Sequence, residues 1–251
     1  MNDHEYNEKV DLLKRKADEL GQKAVMDTNL FIKMLDLQAW FPQFGPYNIL
    51  LLMQKAPHAR SVFSMEDLRE MGVSVHHEED WIELLRPQQY PEGVRYEVGR
   101  YLDDERLGIA PLPAPDRNRD PQDLSEKIIA ACGLATDTAA ELPAGVRGVY
   151  YDNRRRMLLI GEVPEDPEEM FQRVVTETAL FLFSQKETVF ERAGLAYAAC
   201  CCAYLCCRAY GVSTEELGIT RIPAGYKKDR QSRALFSLIA DAWPKLHAML
   251  Q

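Results

Sequence analysis

The chain has 251 residues, of which 46% are hydrophobic and 27% charged, an ordinary globular balance with enough length for one large domain or two modest ones. Its formal charge of −9 gives no support to a protein that lives on nucleic-acid phosphates, since those contacts are made by Lys and Arg. The apolar runs are short and broken by charges, so no segment is expected to cross a bilayer. The polar start Met1-Asn2-Asp3-His4-Glu5 lacks a signal peptide's basic and apolar regions. These features place the protein in the cytoplasm, away from membranes, where its cysteines stay reduced.

Leu12, Leu13, Ala17, Leu20, Ala24 and Val25 recur at helical spacing and predict a helix over residues 5–37. Gly45 and Pro46 form a turn, and a second helix is expected over residues 48–54. Residues 78–89, with Trp81, Ile82, Leu84 and Leu85, read as a strand. So do residues 93–102, with Val94, Tyr96, Val98 and Tyr101. Pro111, Pro113, Pro115 and Pro121 then favour extended chain. They predict a linker over residues 109–122 between domains at 1–108 and 123–251; a surface loop within one domain is the alternative.

Beyond the prolines, a helix is expected over residues 124–134. A hairpin follows over 146–151 and 157–160, turning at Asp152-Asn153. Pro167 suits the first turn of a helix over 167–184, and Glu168 and Glu169 suit its positive end. An apolar helix over 192–210 stops at Gly211, and a last helix covers 230–250. Its Trp243-Pro244 end is apolar and reads as core rather than as a docking face. The predicted fold class is α+β: a small mixed α/β N-terminal domain, then a mainly helical C-terminal domain with a short β-hairpin. No phosphate loop, dinucleotide fingerprint or nucleophile elbow is present in the sequence.

Two constellations carry chemistry. The first runs Gln43-Phe44-Gly45-Pro46-Tyr47-Asn48-Ile49-Leu50-Leu51, then Gln54-Lys55-Ala56-Pro57-His58-Ala59-Arg60, with Phe63, Leu68, Met71-Gly72-Val73 and Trp81-Ile82-Glu83-Leu84-Leu85 beyond it. This order resembles the N-terminal domain of the ArdC antirestriction family of plasmids and other mobile elements, over residues 30–107. The resemblance implies a module that binds single-stranded DNA, with Tyr47, Asn48, Lys55 and Arg60 at the matching positions. An aromatic ring stacks on a base and Lys or Arg holds phosphate. The alternative for the same residues is a core tyrosine, a helix-capping asparagine and two solvated cations. His76-His77-Glu78-Glu79-Asp80 stands where a basic turn is expected, and its carboxylates oppose a phosphate backbone. The two adjacent histidines point apart, which disfavours a metal site.

The second constellation is the hairpin Gly148-Val149-Tyr150-Tyr151-Asp152 and Met157-Leu158-Leu159-Ile160, followed by the helix that carries Thr176-Glu177-Thr178-Ala179-Leu180. A strand pair before an apolar helix with a central Glu is similar to the zincin metallopeptidase domain that often follows the ArdC-type module. That family carries His-Glu-x-x-His on this helix. Two histidines one turn apart then reach one zinc, and the Glu activates its water. Here Thr176, Glu177 and Leu180 occupy those positions, and the third ligand position falls near Cys200. Leucine cannot ligate and threonine is a poor zinc ligand, so the resemblance implies a pseudoenzyme with a vestigial motif, no catalytic residue, no metal and no cofactor. Glu177, on an apolar face, needs a partner: Arg173, Arg192 or Arg208. Cys200-Cys201-Cys202 and Cys206-Cys207 lie on one helix, so they read as small apolar residues rather than converging metal ligands.

The expected function is a non-enzymatic binding protein of a mobile element that engages single-stranded DNA. The alternatives are an acidic module that acts on a host protein, and an atypical metallopeptidase.

Overall fold

Residues 5–37 do not form one helix. Asp27 accepts hydrogen bonds from the backbone N–H groups of Asn29 (2.9 Å) and Leu30 (3.3 Å) and starts a new helix. The computed structural model thus has α1 (Asp3–Met26) and α2 (Thr28–Gln38) in place of one element. The structure describes residues 3–75, 80–90, 93–112, 118–143, 146–162, 164, 166–186 and 189–251. His76, His77, Glu78 and Glu79 lie outside the described residues, as do Pro113 and Pro115 of the predicted linker.

The chain divides into two compact units, one of Met1–Trp40 with Pro46–Pro113, the other of Phe41–Gly45 with Ala114–Gln251. In the first unit α3 (Pro46–Lys55) follows the glycine–proline turn and buries Ile49, Leu50, Leu51 and Leu52. Three further short elements were not legible as strands or helices: β1 (Val62–Ser64), α4 (Met65–Glu70) and α5 (Asp104–Leu107). Ser64 and Asp67 form a reciprocal capping box at the start of α4. The two long strands, β2 (Ile82–Tyr90) and β3 (Gly93–Asp103), pair antiparallel with Leu85 opposite Val98, and the sheet order is β1-β3-β2. α3 packs on β2, and the core runs from Phe31, Met34 and Leu35 through Ile49 and Leu52 to Ile82 and Leu84. A satellite cluster joins Phe63, Leu68 and Leu102.

In the second unit Pro121, read as linker, instead opens α6 (Pro121–Ala131), capped by Asp120. β4 (Ala135–Thr138) runs parallel to β6 (Met157–Ile160), which pairs antiparallel with β5 (Val149–Asp152). The order β4-β6-β5 leaves β5 at an edge, and α7 (Pro167–Ser184) packs against it. Gly148 enters β5 at φ 74, in the left-handed region, with Pro164, Arg173 and Met170 close to where a Cβ would stand. α8 (Arg192–Tyr210) ends at Gly211, which takes the left-handed C-cap, and α9 (Asp229–Leu250) carries Pro244 internally and buries Trp243 completely. The fold is α+β.

One expectation is corrected here. By length and composition Arg192–Tyr210 is apolar enough to span a bilayer, although 67% of that window is buried inside the structure. The apolar content of α8 is therefore that of a core helix. Cys201, Cys202, Cys206 and Cys207 are all fully buried in it beside Ala198, Ala199 and Ala203. All six cysteines are free thiols.

Candidate functional site

Glu177 lies at the middle of α7, with its side chain only 10% exposed. Both carboxylate oxygens are occupied. Arg192, at the start of α8, donates through Nη1 to Oε1 (2.8 Å) and through Nη2 to Oε2 (2.9 Å). The backbone N–H of Tyr151 donates to Oε2 at 2.6 Å, and Arg192 Nη2 also donates to the Tyr151 carbonyl at 2.7 Å. The ion pair thus meets both backbone groups of an edge-strand residue, as a neighbouring strand would. The ring of Tyr150 stacks under the guanidinium, 4.2 Å from its centroid. Burial opposes the charge on Arg192, but the hydrogen bonds and charge of Glu177 outweigh it and hold the guanidinium protonated.

Of the three arginines offered to Glu177 by the sequence, Arg192 makes the pair. Arg173 instead grips Glu169, at 2.9 Å and 2.6 Å. Thr176, Glu177 and Cys200 line one cleft of about 260 Å³, together with Val149 and Arg173. Leu180 does not line it and is 1% exposed in the core. The Thr176 hydroxyl donates to the Gln172 carbonyl at 2.7 Å. Burial, and then the charge of Glu177, push the Cys200 thiol up, away from the thiolate a metal needs. Among the described residues no three His, Cys, Asp or Glu side chains converge where a metal could sit. A zinc site of the His-Glu-x-x-His kind does not fit these residues, since Thr176 and Leu180 stand at its histidine positions.

In the first unit the four residues proposed for nucleic acid have these surroundings. Asn48 donates from Nδ2 to the Leu85 carbonyl (2.7 Å) and accepts from the Leu85 N–H (2.9 Å), which ties α3 to β2. Tyr47 is half-buried. Arg60 is exposed, with its guanidinium 5.9 Å from the Trp40 ring. Lys55 pairs with Asp80 at 2.8 Å, and Arg106 reaches the same carboxylate at 3.4 Å. The Lys55 hydrogen bond and charge, followed by Arg106, hold the Asp80 carboxyl below the usual carboxylate range.

Lys55 and Asp80 line a groove of about 360 Å³ with Lys16, Trp81, Glu83 and Arg100. Glu83 is paired with Lys9. Lys16 and Arg100 make no ion pair among the described residues, so this groove presents two cations beside an indole ring. Sequence patterning missed Lys16 and Arg100 because it read them as the polar faces of a helix and a strand. Trp81 carried the only usable signal, a large ring just before β2.

The chain is similar in structure to an antirestriction protein. The metal-free crystal structure of the antirestriction ArdC protein from plasmid R388 shares 18% sequence identity, covers 82% of this chain and 83% of its own, and has a TM-score of 0.45. The Mn(II)-bound structure of that protein gives 17% identity, the same 82% and 83% coverage, and a TM-score of 0.48. No protein-family model and no curated protein matches the chain.

Proposed function

We propose that this chain is a non-catalytic, cytoplasmic binding protein of a mobile element, with a first unit that engages single-stranded DNA and a second that keeps a peptidase-like scaffold without its chemistry. The observation that carries the non-catalytic half is the occupation of Glu177. A general base must be able to reach a water or a proton on substrate. Here its two oxygens take three hydrogen bonds, from Arg192 and from the Tyr151 N–H. Among the described residues no ligand set beside it converges to hold a metal that could activate a water. Metal analysis of the purified protein, with a hydrolysis assay comparing wild type and Glu177→Gln, tests this half. Bound zinc together with hydrolysis lost in the variant would establish the atypical-peptidase alternative.

The strand-binding half is supported by the resemblance of residues 43–60 and by the groove with Lys16, Arg100 and Trp81. The exposed Arg60, over the half-buried Trp40 ring, adds a cation–aromatic pair. Anisotropy titration with labelled oligothymidylate at low salt is the test, since the electrostatic contribution is largest there. The Lys16→Ala/Arg100→Ala variant is expected to bind more weakly and with a shallower salt slope. If wild type shows no binding, the first unit passes to the other reading, an acidic surface for a basic host protein.

A further inference from the structure

The second unit holds a cavity of about 760 Å³ at the tip of the β5–β6 hairpin, separate from the Thr176 cleft. Its volume is in the range that encloses a small organic ligand. Leu142, Leu159 and the rings of Tyr150 and Phe190 make its apolar part. Arg154 and Arg155 stand at its rim, carried on the tight turn that joins the strands, and both are exposed.

The turn is built to hold them there. The Asp152 carboxylate accepts the N–H of Arg154 (2.9 Å) and of Arg155 (3.1 Å), and Arg156 takes a left-handed φ of 53 to close the turn. Three successive exposed arginines result, in a chain whose formal charge is −9. The carboxylates that face the cavity are Asp152 and Glu141. Asp152 is half-buried, engaged by the turn, and 3.7 Å from Arg155 Nε. Arg192, also in the wall, has its charge matched by Glu177 and lends the cavity its stack with Tyr150.

An aromatic floor with guanidinium groups at the rim suits a planar base that carries a phosphate. A carboxylate-bearing peptide would use the arginines but not the rings. We infer that this cavity binds a nucleotide unit, the base against Tyr150 and Phe190 and the phosphate against Arg154 and Arg155. The ligand chemistry is shared by a free nucleotide and by one residue of a single strand. The site is on the second unit and does not rest on the groove proposed for the first.

The test uses the full chain. Ultraviolet cross-linking to a halogenated oligodeoxynucleotide, with peptides mapped by mass spectrometry, is expected to mark Tyr150 or Phe190. Arg154→Ser/Arg155→Ser changes only exposed turn residues, so circular dichroism should be unaltered. Anisotropy should show binding roughly tenfold weaker at low salt, as charge-assisted contacts are lost. The salt slope should fall by about 0.7, the loss of one phosphate contact on a single strand. The cross-link should persist in the Lys16→Ala/Arg100→Ala variant. Saturable binding of thymidine monophosphate alone assigns the site to a free nucleotide; binding of the oligonucleotide alone assigns it to a strand. Cross-links confined to the first unit, with unchanged affinity in the turn variant, overturn this inference while leaving the strand-binding proposal standing. Equal competition by an acidic peptide of the same charge would also overturn it.

Discussion

Removing Arg192 should cost the second unit a large part of its stability. In Arg192→Met the Glu177 carboxylate loses both guanidinium hydrogen bonds, 2.8 Å and 2.9 Å, and keeps only the Tyr151 N–H. The Tyr151 carbonyl loses its donor at the same time. Breaking a buried pair on one side costs about 3–5 kcal/mol. The Arg192 side chain is 30% exposed and Glu177 10%, so water reaches part of the site. The expectation is therefore lowered to about 2–4 kcal/mol. Glu177→Gln keeps an acceptor for the Tyr151 N–H but turns amide hydrogens toward the guanidinium, with an expected cost of about 1–3 kcal/mol. The double variant should be less unstable than the sum, with a coupling energy of about 1–3 kcal/mol. Urea unfolding of the four proteins, followed by circular dichroism, measures the cycle. Additive single effects, or a cost below about 0.5 kcal/mol for Arg192→Met, would mean that the pair is an ordinary surface contact and would refute its role in tying α7 and α8 to Tyr151.

Three further outcomes are expected. Asn48→Asp should destabilise the first unit by about 1–3 kcal/mol, because a carboxylate replaces the donor that faces the Leu85 carbonyl at 2.7 Å; a thermal melt of the variant reads it, and an unchanged midpoint would return Asn48 to a purely ligand-facing role. Burial depresses His247, which contacts the Tyr210 hydroxyl and the Trp243 ring, below its ordinary value of 6.5. The unfolded chain then takes the proton first, so stability is full above pH 6.5 and falls as pH drops through the window below it. Melts of wild type across that window should show this slope, and His247→Gln should flatten it. In α8 burial pushes all five thiols up, but Cys200 is half-buried while Cys201, Cys202, Cys206 and Cys207 are buried, so iodoacetamide should label Cys200 first among them. Peptide mapping of a time course reads the order.

The long periodic segments were legible because apolar spacing and end signals agreed. α7 begins at Pro167 and α8 stops at Gly211, where the sequence places both. The break at Asp27 was missed, since helical periodicity continues across it and only the side chain's hydrogen bonds to Asn29 and Leu30 reveal a cap. β1, α4 and α5 are too short for any period to register. At the site, residue types showed that Glu177 needs a cation. They could not choose among Arg173, Arg192 and Arg208. Spacing along α7 favours Arg173 at i−4, but Glu169 takes that guanidinium first. Arg192 wins through tertiary packing of α8 on α7, which no local pattern encodes.

The cation beside Glu177 gives the second unit an internal link between its helices and its sheet edge. Arg192 supplies the positive charge at the Glu177 carboxylate and a donor to the Tyr151 carbonyl. α7, α8 and the β5 edge are then joined through one side-chain pair. The same pair closes the edge of β5 at Tyr151, the place where an extended peptide could add as a strand. Stability of the unit and closure of that edge thus rest on one side-chain pair. The arginine-rimmed cavity, which Tyr150 and Arg192 also line, is where the exposed cations of the turn and aromatic rings meet on this unit.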